Sequence, residues 1–388
     1  MPVILGSTTL LSSGRLKGRR VGVVSNPASV DARFTHVVDA LLAAPGVTVG
    51  AIFGPQHGFR SDVQDNMIET PHTSDSARRV PVFSLYSETR EPTAEMLKHV
   101  DALVIDLQDI GARIYTYVYT MANCLRACAR HGVEVIVCDR PNPIGGVEIE
   151  GPILVEGYES FVGQFPIPMR HGMTIGELAR CFNEHFAIHA PLEVINMQGW
   201  SRDMYADTTG LPFVMPSPNI PTLDSAIVYP GTVLLEGTIV SEGRGTTRPF
   251  ELVGAPWLEA ESFAATMNAR RLPGVHFRAA VFEPTFQKHA KSSCGGCQIH
   301  VLDRHAFRPV LTGVALIDAM RAASPSHFAW RRPPYEYEHD QEPIDILAGS
   351  PALRTAIDTG VRAEELATAW AVDNQAFERL RQPFLAYA

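Results

Sequence analysis

The sequence predicts an α/β protein in which a Rossmann-like N-terminal domain with a mostly parallel sheet precedes a smaller α+β domain. Three observations support this. Apolar runs of strand length recur through the first half, helical patterns separate them, and the composition changes near residue 200. The runs are nearly continuous in apolar residues, which is typical of parallel strands covered by helices on both faces. With 388 residues, 45% of them hydrophobic, the chain can build two cores.

Residues 1–200 are assigned to the Rossmann-like domain, which we expect to carry catalytic residues along one edge of its sheet. The first predicted strand ends at an Asn-Pro pair, and the predicted strands cover 20–26, 47–53, 80–86, 101–107, 133–139 and 192–197. Helices are predicted between them, most clearly over 34–42, 115–131 and 174–186. The last of these begins with a capping box formed by Thr174 and Glu177.

Residues 201–388 are predicted to form a smaller α+β domain that roofs the interdomain cleft. Prolines crowd 211–223, and four strand candidates follow at 225–230, 232–240, 275–282 and 296–302. Helical patterns cover 258–271, 311–323 and 351–383. The block WRRPPYEYEHD (330–340) is interpreted as a surface loop.

Charge and motif content exclude several classes of protein. A net charge of −9 without a basic block argues against nucleic-acid binding. No dinucleotide, P-loop, GxSxG or HExxH motif is present, so we predict neither a cofactor nor a metal. The first residues lack the pattern of a signal peptide, no apolar run is long enough to span a membrane, and six cysteines form no spaced framework. We therefore predict a cytoplasmic protein without a membrane partner, and we interpret Cys294-Gly-Gly-Cys297 as a buried turn.

Polar side chains follow four of the predicted strands at the point where each strand ends. In open parallel sheets these ends share one edge, where ligands bind. The exits GPQHGFR, DLQDIGAR and CDRPNPIGG supply most candidates, namely Gln56, His57, Asp109, Arg113, Asp139, Arg140 and Asn142. Tyr117 is expected to face the cleft from the tyrosine cluster that follows. The alternatives remain open: a Gly-Pro turn with an incidental histidine, a turn capped by Asp109, and an Asp139–Arg140 structural pair.

Further candidates lie in four other segments. Arg170 and His171 precede the capped helix, where an anion would be favoured by the helix N-terminus. Glu150 follows the CDRPNPIGG exit, and Asn219 lies on a proline-rich loop. Glu242 and Arg244 belong to the glycine-containing loop SEGRG, for which a solvated hairpin is the alternative.

Several long segments resemble the DUF1343 family, which includes exo-β-N-acetylmuramidases of the NamZ type. They include FGPQHGFR, DLQDIGARIYTYVYTM, DRPNPIGG, MPSPNIPTLDSAIVYPGTVLLEGT and SEGRGTTRPFELVGAP, and the matching stretches span nearly the whole chain. The resemblance implies an active site between the two domains and removal of N-acetylmuramic acid from non-reducing ends of peptidoglycan fragments, in cell-wall turnover or recycling. Members often carry Glu in the PEHG turn, where this chain has Gln56.

Glycoside hydrolysis requires an acid and a second carboxylate. We predict Glu150 and Asp139 as this pair, with Glu242 and Asp109 as alternates. The lactyl carboxylate of muramic acid would bind a guanidinium group, with Arg113, Arg140, Arg170 and Arg244 as candidates. Gln56, His57 and Asn219 would hold sugar hydroxyls or the acetamido group. Gln56 also motivates an alternative, a non-catalytic or altered-specificity binder of a carboxylated sugar or related metabolite, and a hydrolase or transferase acting on another carboxylated small molecule is a further one.

Overall fold

A seven-stranded sheet forms the centre of the N-terminal domain in the computed structural model, which describes residues 2–65 and 67–388. In spatial order the strands are β3 (Thr73–Asp75), β4 (Val80–Ser84), β2 (Thr48–Gly54), β1 (Arg20–Ser25), β5 (Ala102–Asp106), β6 (Glu134–Cys138) and β9 (Leu192–Ile195). Only β3 is antiparallel to its neighbour within this sheet. The six predicted strands and the mostly parallel sheet are confirmed.

The six parallel strands follow the doubly wound order. The chain starts in the middle at β1, moves outward through β2 to β4, and then crosses back to β5, β6 and β9. The direction of winding reverses between β1 and β5, and a crevice at the carboxyl ends is the usual ligand position in such sheets. The loops that follow β1, β2, β5 and β6 therefore meet at one edge.

Helices cover both faces of this sheet. They are α1 (Gly6–Ser13), α2 (Val37–Ala43), α3 (Ala94–Leu97), α4 (Tyr117–His131) and α5 (Ile175–Glu184). The predicted capping box at the start of α5 is present, and α4 ends at Gly132, whose positive φ of 66° suits a glycine. A short antiparallel pair, β7 (Glu150–Ile153) and β8 (Pro168–Arg170), lies apart from the main sheet.

The C-terminal domain packs helices against a three-stranded antiparallel sheet. Its strands, in spatial order, are β10 (Leu252–Ala255), β12 (Cys294–Val301) and β11 (Val275–Phe282). The helices are α6 (Leu223–Thr232), α7 (Ala260–Ala269), α8 (Pro309–Ala323), α9 (Pro343–Ala348), α10 (Ala352–Asp358), α11 (Ala363–Ala369) and α12 (Ala371–Arg381), with 3-10 turns at Ala206–Thr208, Val233–Gly237 and Gln382–Phe384. The domain boundary at residue 200 stays a prediction.

Three predictions for this domain are wrong. The strand candidate 225–230 lies inside α6, and the candidate 232–240 contains the 3-10 turn Val233–Gly237. All residues of both segments except Ile239 are buried. A short apolar run that is buried on nearly all sides has no period that would separate a helix from a strand. Cys294 and Cys297 are buried as predicted, but they lie in β12 instead of a turn. The other two strand candidates are confirmed.

The segment 330–340 is not simply a surface loop. Tyr335 and Glu336 are only 2% and 4% exposed. Glu336 has a left-handed backbone with φ of 45°, which is uncommon for a residue with a side chain. The loop therefore carries a buried carboxyl group into the interior. Within residues 2–65 and 67–388, no helix combines the length and apolarity that a membrane crossing requires.

Candidate functional site

A polar pocket that opens to solvent lies between the two domains at the carboxyl edge of the large sheet. Five parts of the chain line it: the turn after β2, the segment from β5 to the start of α4, the connection between β7 and β8, residues 217–250, and the 330–340 loop. The lining residues are Gln56, His57, Ile114, Tyr115, Thr116, Tyr117, Val162, Ser217, Asn219, Ile220, Tyr229, Glu236, Arg244, Phe250, Tyr335 and Glu336.

The N-terminal domain supplies the floor of the pocket. Gln56 follows β2 and is nearly buried, and its Oε1 accepts a hydrogen bond from Thr116 Oγ1 at 2.7 Å. Tyr117 opens α4 and donates through its hydroxyl to Pro216 O at 3.0 Å. The exits of two neighbouring strands thus meet in the pocket, as parallel topology requires.

His57 is a neutral hydrogen-bonding group. Burial lowers the pKa of His57 to about 4, and its Nδ1 lies 2.8 Å from the Val63 carbonyl. A carbonyl can only accept, so Nδ1 carries the proton of the neutral ring. Nε2 is then an acceptor, which suits a sugar hydroxyl.

Glu236 is an ionised carboxylate. Its Oε1 accepts from Arg244 Nη2 at 2.7 Å and Nε at 3.2 Å, and its Oε2 accepts from the Tyr335 hydroxyl at 2.7 Å. Burial alone would raise the pKa of Glu236, but the charge and hydrogen bonds of Arg244 outweigh burial and lower it.

Glu336 has the opposite character. Its Oε2 accepts from the Tyr86 hydroxyl at 3.1 Å. Burial, followed by the negative charge of Glu236, raises the pKa of Glu336 to about 7. One pocket therefore holds a carboxylate that stays ionised and a carboxyl group that keeps its proton up to neutral pH. Environments that separate two pKa values in this way define an acid and its partner base or nucleophile.

The raised pKa of Glu336 makes stability depend on pH. A carboxyl group with a folded-state pKa near 7 and an unfolded value near 4.5 binds an extra proton in the folded state between these values. Its stabilising contribution is complete below about pH 4.5 and is lost as the pH rises through 7, which amounts to roughly 3 kcal/mol. The glutamine of the Glu336→Gln variant does not titrate. We therefore expect its free energy of unfolding, relative to that of the wild type, to increase by this amount between pH 4.5 and 8.

Denaturant unfolding at a series of pH values measures this difference. Glu338→Gln, in the same loop but outside the pocket lining, is the matched control and should follow the wild type. A constant offset between Glu336→Gln and the wild type across the range would contradict the assignment.

Five of the sequence-predicted site residues line the pocket: Gln56, His57, Tyr117, Asn219 and Arg244. Asn219 exchanges hydrogen bonds with Gln64, with its Nδ2 2.7 Å from the Gln64 carbonyl. Glu242 lies directly behind the pocket, since one of its oxygens is 3.4 Å from Arg244 Nε and the other accepts from Lys288 at 2.8 Å.

Two predicted residues hold the β6 exit together. Asp139 accepts from the Thr174 hydroxyl and from the Gly176 amide, each at 2.8 Å, at the start of α5. Burial raises the pKa of Asp139 to about 6. Arg140 pairs with Asp106 at 2.9 Å and donates to two backbone carbonyls of the loop after β1. Neither side chain lines the pocket.

The remaining predicted residues lie below or beside the pocket. Their side chains form hydrogen bonds with the backbone. Glu150 accepts from the Leu311 amide at the start of α8, Asp109 accepts from the Gly111 amide, and His171 Nδ1 accepts from the Met173 amide. Asn142 Nδ2 donates to Met173 O, Arg170 donates to Ile144 O, and Arg113 donates to the carbonyls of Leu347 and Ala348. Burial raises the pKa of Glu150 to about 7, as for Glu336. The structure therefore offers two buried glutamates of similar acidity, and only Glu336 is in the pocket.

Glu236 and Glu336 are absent from the sequence prediction. Glu236 lies near the end of MPSPNIPTLDSAIVYPGTVLLEGT, a segment that carries the family resemblance, but the apolar run around it predicts a strand. The feature of the sequence that could have pointed to Glu236 as a site residue is the glycine and threonine that follow it. Glu336 lies in YEYE between prolines and charges, a composition with no feature that separates it from a solvated loop.

The fold and the pocket define a two-domain α/β protein with an acid–carboxylate pair in its interdomain cleft. The chain belongs to the NamZ exo-β-N-acetylmuramidase family: residues 21–224 match its N-terminal part, and residues 227–387 match its C-terminal part.

Relatives match over almost the full length. The peptidoglycan β-N-acetylmuramidase NamZ of Bacillus subtilis is 46% identical over 384 residues, which is 98% of this chain and 91% of that protein. Two crystal structures of DUF1343 family proteins from Bacteroides fragilis superpose on all of this chain and on 99% of their own. Their TM-scores are 0.90 at 36% identity and 0.75 at 29% identity.

Proposed function

We propose that this chain is an exo-acting β-N-acetylmuramidase that releases N-acetylmuramic acid from non-reducing ends of peptidoglycan fragments. The observation that carries the proposal is the placement of Glu236 and Glu336, with separated pKa values, in one interdomain pocket. Family membership and the name of the Bacillus subtilis relative support the choice of sugar.

In this proposal Glu336 is the acid. As the bond between the anomeric carbon and the glycosidic oxygen breaks, Glu336 gives its proton to that oxygen, and the leaving alcohol departs neutral. Glu236 supplies the second carboxylate, which either attacks the anomeric carbon or takes a proton from the attacking water. The Tyr335 hydroxyl and Arg244 keep Glu236 ionised and fix its orientation.

Arg244 is proposed to bind the lactyl carboxylate that distinguishes N-acetylmuramic acid from N-acetylglucosamine. Its Nε and Nη2 contact Glu236, whereas Nη1 is buried and has no hydrogen-bond partner within the described part of the chain. Arg244 lines the pocket, so this donor is placed to form a charge-assisted bond with a substrate anion. His57, Asn219 and Tyr117 would contact the sugar hydroxyls and the acetamido group.

Replacement of Arg244 by lysine should reduce the preference for muramic acid. A charge-assisted hydrogen bond contributes about 1.5–3 kcal/mol, so we expect the ratio of kcat/KM for an N-acetylmuramide over the matching N-acetylglucosaminide to fall roughly 10-fold or more. Arg248→Lys, whose side chain pairs with Glu251 outside the pocket, is the control. An equal loss on both substrates would contradict a role in carboxylate recognition.

Hydrolysis of a chromogenic β-N-acetylmuramide tests the function itself. The proposal expects turnover, with release of single N-acetylmuramic acid residues from longer peptidoglycan fragments. The alternative, a binder without catalysis, expects thermal stabilisation by the same sugar without turnover, and that result would overturn the enzyme assignment.

We also propose a cytoplasmic location for this chain. All six cysteines are buried and free of disulfide bonds, which suits a reducing compartment. Cell fractionation with an antibody against the chain tests the location, and recovery outside the cytoplasmic fraction would contradict it.

A further inference from the structure

A chain of hydrogen bonds runs through the wall of the pocket from the N-terminal domain to the proposed acid. Thr116 Oγ1 lies 2.7 Å from Gln56 Oε1, Gln56 Nε2 lies 3.3 Å from the Tyr86 hydroxyl, and that hydroxyl lies 3.1 Å from Glu336 Oε2. All four residues are at most 6% exposed, so bulk water does not compete for these contacts.

The direction of this chain is fixed once Glu336 is ionised. An ionised Glu336 can only accept, so Tyr86 must donate its single hydrogen to it. The Tyr86 oxygen then accepts from an amide hydrogen of Gln56, and Gln56 Oε1 accepts from the Thr116 hydroxyl. A carboxylate at position 56 could not donate to Tyr86, and it would compete with Glu336 for the tyrosine hydrogen.

The ring of Tyr86 is held independently of Gln56. Tyr86 is fully buried, and the Arg90 guanidinium lies over the Tyr86 ring at 4.3 Å and over the Tyr337 ring at 4.6 Å. Once the ring is held, the torsion of the hydroxyl hydrogen is the remaining freedom, and the groups hydrogen-bonded to the oxygen, Gln56 and Tyr337, set it.

We propose that Gln56 is a positioning residue that, by donating to Tyr86, keeps the tyrosine hydroxyl directed at Glu336. The inference rests on the proposed function, because it assigns Gln56 a role in the proton transfer by Glu336. Gln56 carries no charge, so its influence on Glu336 passes through the tyrosine hydroxyl.

Other groups around Glu336 act directly. Its pKa is raised first by burial and then by Glu236, and it is lowered by the Tyr86 hydrogen bond and by the charges of Arg244 and Arg90. Tyr229 and Tyr335 are further titratable neighbours. None of these groups changes when Gln56 is replaced, so a shift produced at position 56 reports the hydrogen-bond chain.

The test is a pair of substitutions and their combination, Gln56→Leu, Tyr86→Phe and the double variant. In each, kcat/KM is measured against pH, where the descending limb reports the protonation of Glu336 in the free enzyme. Loss of a hydrogen bond that favours the ionised form raises a pKa, so both single variants should move this limb upward by about half to one pH unit. The double variant should coincide with Tyr86→Phe, because Gln56 has no route to Glu336 without the hydroxyl.

The control is Tyr119→Phe, which removes a buried hydroxyl outside both the pocket lining and this hydrogen-bond chain and should leave the limb in place. Two results would overturn the proposal. In the first, the descending limb of the Gln56→Leu variant lies at the same pH as that of the wild type. In the second, Gln56→Leu shifts the limb by the same amount in the wild type and in the Tyr86→Phe background. A role in folding alone would lower activity at every pH equally. If the wild type lacks turnover, the proposed function fails, and the same cycle is then followed through the pH dependence of unfolding, which reports Glu336 without catalysis.

Discussion

Glu336→Gln is expected to lower kcat/KM for a muramic-acid disaccharide by roughly 10²–10⁴-fold, the usual contribution of a general acid. The amide has nearly the shape of the carboxyl group but no acidic proton, so the leaving oxygen departs without protonation. The loss should depend on the leaving group. An aryl N-acetylmuramide with an acidic phenol needs little protonation, and we expect the variant to recover most of its activity on that substrate.

Glu150→Gln is the matched control for this experiment. Burial raises the pKa of both Glu150 and Glu336 to about 7, and both are buried on the same chain. Glu150 accepts from the backbone amide of Leu311 at the start of α8 and lies outside the pocket lining. Its variant should keep activity within a few-fold of the wild type on both substrates. An inactive Glu150→Gln beside an active Glu336→Gln would support the pair predicted from the sequence instead.

Glu236→Gln is the second variant with a large expected effect. Removal of the ionised carboxylate takes away the base or nucleophile, which contributes on the order of 10²–10⁴-fold, and it leaves the buried charge of Arg244 with one carboxylate neighbour fewer. The loss should be the same for the disaccharide and the aryl glycoside, because leaving-group acidity does not replace the second carboxylate.

Glu242→Gln is the control for Glu236. Glu242 also contacts Arg244, at 3.4 Å, but it is joined to Lys288 and lies behind the pocket. We expect a loss several-fold smaller than that of Glu236→Gln. A loss of equal size in both variants would assign the effect to the charge balance around Arg244 and would contradict a chemical role for Glu236.

The N-terminal fold could be predicted because buried parallel strands have a recognisable local amino-acid composition. The runs ending near Ser25, Gly54 and Asp106 are nearly continuous in apolar residues, and their alternation with helical segments implies that their carboxyl ends share one edge of the sheet. The short strands β3, β7 and β8 carry no comparable signal. In the C-terminal domain, apolar runs that are buried on all sides gave strand predictions where the chain is helical.

The site could be predicted only in part, for a related reason. Gln56, His57 and Tyr117 are positioned by strand exits, so topology alone brings them together. Glu336 reaches the pocket through the path of a loop that is far from Gln56 in sequence, which local patterns do not encode. Asp139 stands at a strand end as predicted, but it caps α5 in the structure.

In the proposed mechanism the reacting bond lies between Glu336 and Glu236. A crystal structure of the Glu336→Gln variant with an intact β-N-acetylmuramide disaccharide tests this arrangement. We expect the glycosidic oxygen within hydrogen-bond distance of the residue 336 side chain, the anomeric carbon facing Glu236, and the lactyl carboxylate on Arg244. A sugar bound with its glycosidic oxygen at Glu150 or Asp139, away from Glu336, would contradict the proposed mechanism.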